Sequence, residues 1–468
     1  MSQDTPSSSR IPVKPGDCVT LRLDSLAAGG EAVGRYEGLA MFVEYGAPGD
    51  VADVRVSHVA RNYARGRIER LVEPGPDRVE PPCPYFGSCG GCDWQHLEYQ
   101  SQVAAKVEML RESFARIASL ELDGIIAPIA MRDPWRCRSA AEFTVAATDP
   151  PALGFLRARS NDVVPIADCL VQHPLNVEIL HAMNEWLARH GAGELWLVGT
   201  RTSFAEERAL IGLAFRGEGP AAQDAAADLM RAVPRIAGVS AVTARDRREQ
   251  HRRLSRHVAG EEFIHERVGE RTYRIGADTF FQVNPQQAAR LVETMEEMAR
   301  VGRGETVVDA YCGAGIFLVP LAERAGRAIG IESNPAAVRD ARANLRQAGL
   351  GHATVVREKV ERALPLMARG SGSAERAADG ASRERRTARS ARADIVVLDP
   401  PRQGCGRQVM NAVGALAPRA VVMVSCDPTT LARDIGLLAE HGYQARRTVA
   451  IDMFPHTWRV ESATLCER

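Results

Sequence analysis

The chain has 468 residues, enough for two or three domains that each bury a core. Its 59 basic and 59 acidic residues cancel, so composition alone gives no electrostatic case for nucleic acid, and any basic surface must come from local clustering. No run of about eighteen apolar residues is present, and Met1–Arg10 is a polar tail without the apolar segment of a signal peptide. We therefore expect no membrane partner and a cytoplasmic location. There the 10 cysteines point to metal binding or thiol chemistry rather than to disulfides.

After the tail at 1–10, residues 11–74 alternate short β-rich runs with turns. Cys18–Leu23, Leu39–Val43 and Val51–Val56 are separated by Ala28-Gly29-Gly30 and Pro48-Gly49-Asp50, the pattern of a small β-barrel. Arg61, Tyr63, Arg65, Arg67 and Arg70 interleave charge with an aromatic ring, which suits either an RNA backbone or a solvated barrel edge. Cys83, Cys89 and Cys92 follow within Pro81–Cys92, where Pro and Gly turn the backbone sharply and let three thiolates converge. Cys137 and Cys169 are the nearest candidates for a fourth ligand, and four thiolates suit an iron–sulfur cluster or a structural zinc. Val103, Val107, Leu110, Phe114 and Ile117 recur at helical spacing, one apolar face. Residues 135–268 mix strand-like and helical runs and carry no readable motif; within them a helix over Pro174–His190 ends at Gly191.

The C-terminal part is organised by three apolar strands that each end in polar or reactive residues, as at the ligand-binding rim of a doubly wound α/β sheet. Thr306–Ala310 runs into Tyr311-Cys312-Gly313-Ala314-Gly315. The next strand, Ala328–Ile331, ends in Glu332, placed to accept ribose hydroxyls. The third glycine of a dinucleotide fingerprint is replaced by Leu318, which disfavours a pyrophosphate and points to a nucleoside such as S-adenosylmethionine. The other two strands of the rim are Ile395–Leu398, which ends in Asp399-Pro400-Pro401-Arg402, and Val422–Ser425, which delivers Cys426, read as a nucleophile. Phe280-Phe281-Gln282-Val283-Asn284 precedes a helix over Gln286–Arg300 and forms a ligand lid or a helix cap. Arg369–Arg392 reads as a disordered insertion.

Taken together, the barrel, the CPYFGSCGGC motif, FFQVN, the glycine turn, LDPPR, SCDP and DMFPHTWRVE resemble the RNA uracil-C5 methyltransferase family, in its branch with a TRAM domain and a [4Fe-4S] cluster that acts on 23S ribosomal RNA. The resemblance implies a class I S-adenosylmethionine-dependent methyltransferase fold (α/β, Rossmann-like) over 276–468, with an insertion at 369–392. It also implies an OB-like TRAM barrel at 11–74 and a central α+β domain at 75–275 whose helix at about 99–120 packs on the methyltransferase domain. The cluster falls to Cys83, Cys89, Cys92 and Cys169, leaving Cys137 out, and S-adenosylmethionine to Gln282, Tyr311, Glu332 and Asp399. Cys426 becomes the nucleophile and Glu461 the base. RNA is the expected partner, ribosomal before transfer RNA, and a monomer is the expected state.

Three positions depart from the family pattern. Ile316 and Asp427 stand where asparagine is usual, and Arg459 where histidine is frequent. An acid beside the thiol slows its attack unless the carboxylate points away. The attack itself requires a site that favours the thiolate, because a free cysteine is only a few per cent ionised at neutral pH. Methylation of uridine 54 in transfer RNA and a non-catalytic TRAM-type RNA-binding protein are the competing readings. Cytosine-C5 methylation is disfavoured because no Pro-Cys pair stands on the strand that ends in Asp399-Pro400-Pro401-Arg402.

Overall fold

The computed structural model describes residues 11–120, 125–217, 222–250, 255–370 and 392–468. The tail at 1–10 and residues 371–391 of the expected insertion lie outside them. The helix Val360–Gly370 runs into the start of that insertion, since Leu364 and Met367 continue its buried face.

Two compact units emerge. The smaller holds residues 11–109 with His456–Trp458. Its barrel is closed by β1 (Cys18–Leu26), β2 (Ala32–Tyr36), β3 (Leu39–Glu44), β5 (Tyr63–Glu73) and β4 (Val51–Val59), in that order. Alternation along these strands turns Val19, Leu21, Leu23, Met41, Val43 and Val54 inward, the period of two that a half-buried strand requires. Of the interleaved cations, Arg70 pairs with Asp53 at 2.6 Å and Arg65 lies near Glu31 at 3.4 Å. The Arg65 guanidinium sits 5.7 Å from the centre of the Tyr63 ring, and that ring meets Phe42 edge-on. Part of this charge is therefore spent within the barrel wall.

The larger unit holds residues 110–455 and 459–468. One sheet has the order β13 (Arg256–Gly260), β12 (Ile236–Thr243), β11 (Ala209–Phe215), β10 (Leu195–Thr202), β7 (Ala140–Ala146), β8 (Ala152–Leu156) and β9 (Val163–Pro165). The helices Pro174–His190 and Ala222–Ala232 pack against it. A hairpin, β14 (Phe263–Val268) with β15 (Arg271–Gly276), follows.

The second sheet has eight strands: β18 (Ala353–Arg357), β17 (Arg327–Glu332), β16 (Thr306–Ala310), β19 (Ile395–Leu398), β20 (Ala420–Ser425), β22 (Glu461–Glu467), β21 (Gln444–Ile451) and β6 (Ile125–Ile129). The first five are parallel and almost wholly buried, as near-continuous Val/Ile/Leu runs demand. β22 enters antiparallel between β20 and β21. β6 adds to β21 from well before residue 276 in the chain.

The helical face predicted from Val103 onward forms as Tyr99–Ser113 and passes into a π-helical turn, Phe114–Ala118. Phe114 is fully buried, but Ile117 is 44% exposed, because the wider π turn rotates it off the apolar face. The turn packs against the helix Pro428–Ala439.

Candidate active site

The register of the eight-stranded sheet builds the site. Ala310 pairs with Ile331 on one side and Leu398 on the other, so the next residues along the carboxyl edge are Glu332, Tyr311 and Asp399. Ser425 pairs with Ser462, and one further step of that register sets Cys426 opposite Glu461. Five of the residues singled out by sequence thus form one row across five adjacent strands. The reason is local: the four parallel strands are mostly apolar runs followed by polar residues, and hydrogen bonding in register aligns their ends with the start of β22.

At one end of the row, Glu332 accepts backbone N–H bonds from Gly313 (3.1 Å), Ser333 (2.6 Å) and Asn334 (2.7 Å). Oε1 takes both the Ser333 and Asn334 bonds, while Oε2 takes only that of Gly313 and keeps a lone pair free. The turn that faces it is held open: Tyr311 and Gly313 take left-handed backbone angles (φ 67° and 53°), and a Cβ on Gly313 would meet nothing within 4 Å. Tyr311 donates to Glu361 at 3.1 Å. The open turn beside an anchored acid fits the ribose and amino-acid portion of S-adenosylmethionine. Gln282 is buried in the Phe280–Asn284 segment, whose Asn284 caps the following helix. Ile316 packs in the core, and its carbonyl accepts from the Tyr273 hydroxyl at 3.1 Å.

At the thiol end the electrostatics reverse the sequence-based expectation. Cys426 is pushed up to about 11 by burial first, then by the negative charge of Glu461 and Asp399; Arg402, which hydrogen-bonds the sulfur, pulls it down. Burial and the neighbouring Asp399 charge push Glu461 well up as well, and burial raises Asp399. Three acids share a space that does not hold three negative charges. Asp427 does not join them. Its side chain turns back to accept the N–H groups of Thr429 (2.9 Å) and Thr430 (3.0 Å) as the cap of the helix Pro428–Ala439, so the feared acid beside the thiol is spent on the backbone.

Two residues of this site carried no assignment from sequence. Arg402 stands in the LDPPR motif, where its guanidinium answers the thiol. Asp309 is fully buried in β16, neither carboxylate oxygen within hydrogen-bonding geometry; burial, Asp399 and Glu332 favour its protonated form, and only the Leu318 backbone N–H opposes them. An acid inside the apolar run Thr306–Ala310 was the available signal for it.

In the smaller unit the Gly91 N–H points at the Cys89 sulfur at 3.4 Å; none of Cys83, Cys89 and Cys92, nor Cys169 of the larger unit, is in a disulfide. Soft thiol donors on a turn-rich loop fit an iron–sulfur cluster chemically. Among the described residues, no group of three or more potential ligands has gathered. Cys137, the other sequence candidate, is buried and directs its S–H to the Pro134 carbonyl at 3.7 Å.

Residues 235–468 match the family model described as tRNA (Uracil-5-)-methyltransferase. The chain belongs to this family. A TRAM-domain model matches residues 12–68, over the barrel. Two uncharacterized RNA methyltransferases are similar along nearly their whole length: one of Halalkalibacterium halodurans, 30% identical with 98% of this chain and 99% of the relative covered, and one of Thermosynechococcus vestitus, 33% identical with 96% and 98% covered. The fold is shared with the tRNA (uracil-54, C5)-methyltransferase of Pyrococcus abyssi in complex with S-adenosyl-L-homocysteine, at TM-score 0.68 and 24% identity over 96% of this chain and 100% of that one. The methyltransferase is thus an S-adenosylmethionine-dependent RNA (uracil-C5) enzyme, with a class I sheet and an N-terminal TRAM barrel. Among its described residues, no helix is long and apolar enough to cross a membrane.

Proposed function

We propose that the enzyme methylates C5 of a uridine in 23S ribosomal RNA through a covalent bond between Cys426 and C6 of the base. The row Glu332–Tyr311–Asp399–Cys426–Glu461 along one sheet edge carries this reading, because it sets cofactor-binding groups, a nucleophile and a base side by side. Glu332, Tyr311, Asp399 and Gln282 hold S-adenosylmethionine. When bound, it supplies a methyl group made electrophilic by its sulfonium.

C5 of uracil is too weak a nucleophile to take that methyl unaided. Addition of the Cys426 sulfur to C6 forms an S–C bond and moves the C5–C6 π pair toward O4, so that C5 becomes enolate carbon and accepts the methyl. Arg402 stabilises the thiolate before addition. Glu461, opposite Cys426 in the sheet register and pushed up by burial and the Asp399 charge, gives its proton to water and then stands as the base beside the adduct. It removes the C5 proton; the C5–C6 double bond reforms and the sulfur departs. The target base must be unstacked to expose C6, so the enzyme acts on a loop or on a flipped nucleotide.

Cys83, Cys89, Cys92 and Cys169 hold a [4Fe-4S] cluster in this reading, in a structural or RNA-positioning role. The preference for ribosomal RNA rests on the joint presence of the barrel and the four-cysteine set. RNA containing 5-fluorouridine tests the chemistry: fluorine at C5 is not removed as a proton, so protein and RNA should stay joined through position 426, whereas Cys426→Ser should trap nothing and lose activity by about 10⁴-fold or more. Turnover by the serine variant at the native rate would end the proposal. Mapping 5-methyluridine in RNA from cells lacking the protein tests the substrate; loss from position 54 of transfer RNA instead of 23S RNA would replace ribosomal RNA by transfer RNA. Cys89→Ser should release iron and weaken RNA binding, and full RNA affinity in an iron-free variant would refute the cluster's role.

A further inference from the structure

A cavity of about 1020 Å³ opens beside the proposed active site. Phe280, Asn334 and Arg402 lie on its methyltransferase side. Its other side is the middle of the seven-stranded sheet. There Gly199 of β10 pairs with Gly212 of β11, Gly212 pairs with Ser240 of β12, and Gly199 pairs on its other side with Glu142 of β7. These four residues form one transverse row, and all four line the cavity. The row is nearly bare of side chain at its centre.

Glycine inside a strand loosens the chain, so its presence needs a reason. In this sheet three other glycines have one: a Cβ on Gly154 would lie 2.0 Å from the Val164 carbonyl oxygen, one on Gly238 1.9 Å from that of Glu261, and one on Gly260 2.3 Å from that of Ala237. Gly199 and Gly212 have no such constraint. A Cβ on Gly199 would meet nothing nearer than the Gly212 carbonyl at 3.7 Å, and one on Gly212 nothing nearer than the Ser240 hydroxyl at 3.9 Å. Neither has a positive φ. Backbone sterics would accept alanine at both positions, so what the glycines provide is empty space over flat peptide groups.

One cation borders that floor. Arg201 lies two residues beyond Gly199 on the same strand, hence on the same face, and lines the cavity. Its Nε is buried without a hydrogen-bond partner, and burial pulls the guanidinium down to about 10. The acid whose charge acts on it, Asp340, is already engaged with Arg274 and the Gly276 N–H. Glu142, the acid on the row, is paired with Arg247. The floor therefore presents a flat surface with an under-satisfied positive charge at its margin.

We propose that this floor is the binding site for an unstacked nucleotide next to the target uridine, with its ring or ribose lying over Gly199 and Gly212 and its phosphate at Arg201. The inference rests on the RNA uracil-C5 reading of the adjoining site, since continuity of the cavity from Arg402 to the glycine row is what selects RNA as the occupant. A planar group needs the width that a side chain would take, and a phosphate supplies the acceptors that Arg201 lacks.

Gly212→Leu and Gly199→Leu fill the floor, while Arg201→Gln removes the cation. The probe is RNA extracted from cells lacking this protein, methylated with labelled S-adenosylmethionine. Both leucine variants should melt as the native enzyme does and bind S-adenosylhomocysteine normally, yet raise KM for RNA by about tenfold or more. Arg201→Gln should weaken RNA binding and reduce the slope of log affinity against log salt by about 0.7, the loss of one phosphate contact on a single strand. Native KM for RNA in folded leucine variants, or an unchanged salt slope in Arg201→Gln, overturns the inference. Gly212→Ala, which fits the backbone, should fold even if leucine does not, and a KM between native and leucine values is expected of it. Covalent trapping of 5-fluorouridine RNA by the native enzyme reports on the active-site reading separately, so failure of one is distinguishable from failure of the other.

Discussion

The two sheets of the larger unit use the same backbone pattern for opposite ends. In the eight-stranded sheet, the proposed site sits where strands stop: Glu332, Tyr311, Asp399 and Cys426 are residues at or just past strand ends, brought together by parallel register. In the seven-stranded sheet the notable feature lies in mid-strand and consists of what is missing, the side chains of Gly199 and Gly212. The first sheet concentrates charge, with Cys426, Glu461 and Asp399 all pushed toward their protonated forms. The second offers space with one cation at its margin. Reactive groups need a polar rim that a ligand can reach, whereas room for a ligand can be made anywhere that side chains are withheld.

Removing the charge of the base should separate the steps of the crowded edge most sharply. Glu461→Gln leaves the thiol free to add, and the amide no longer opposes a thiolate by charge. It cannot take the C5 proton. Turnover should fall by about 10²–10⁴-fold, and a methylated protein–RNA adduct should accumulate on ordinary RNA, visible on a denaturing gel. A large loss of rate without any adduct would assign Glu461 to thiol activation instead.

A smaller effect is expected from the cation of that edge. Because Cys426 is pushed up to about 11 and the proposed attack needs the thiolate, kcat/KM for RNA should rise about tenfold per pH unit between pH 7 and 9. Arg402 lowers the thiol, so Arg402→Gln should move the whole profile to higher pH and cost about tenfold at pH 7 while leaving S-adenosylmethionine binding unchanged. A flat profile in the native enzyme would mean that the thiol is already ionised and that RNA-free burial misrepresents its working state.

The same contrast explains what the sequence could disclose. Strand ends are legible because composition changes there: apolar runs stop at Glu332, Asp399 and Cys426, and Pro or Gly follows soon after. Element types were readable for the same reason, and the barrel, the helix Pro174–His190 and the strands of the methyltransferase sheet form close to where they were expected. Environment was not readable. The thiol was expected in a site favouring its anion, but adjacency in sequence does not report that Glu461 and Asp399 converge on it from two other strands. Conversely Asp427, next to the thiol in sequence, is turned away as a helix cap. The glycine row was the least legible feature, since Gly199 and Gly212 acquire meaning only once β10 and β11 are paired and the space above them is seen.

The mildest expected effect concerns Asp309, which tests whether the crowded edge extends inward beneath the cofactor turn. Its carboxyl is buried with neither oxygen within hydrogen-bonding geometry, and its folded-state pKa is raised by burial first and then by Asp399 and Glu332. For an acid raised in this way, the favourable protonated form is fully present below the unfolded value of about 4, and its stability is lost as pH rises toward the folded value. Asp309→Asn keeps the shape and removes the proton. The variant and the native enzyme should therefore melt together near pH 4, and the variant should gain with rising pH, by about 2–4 °C at neutral pH. A variant that melts lower at neutral pH would show that the Asp309 carboxylate is ionised and satisfied in the folded enzyme, and the charge crowding would then stop at the surface row of the sheet edge.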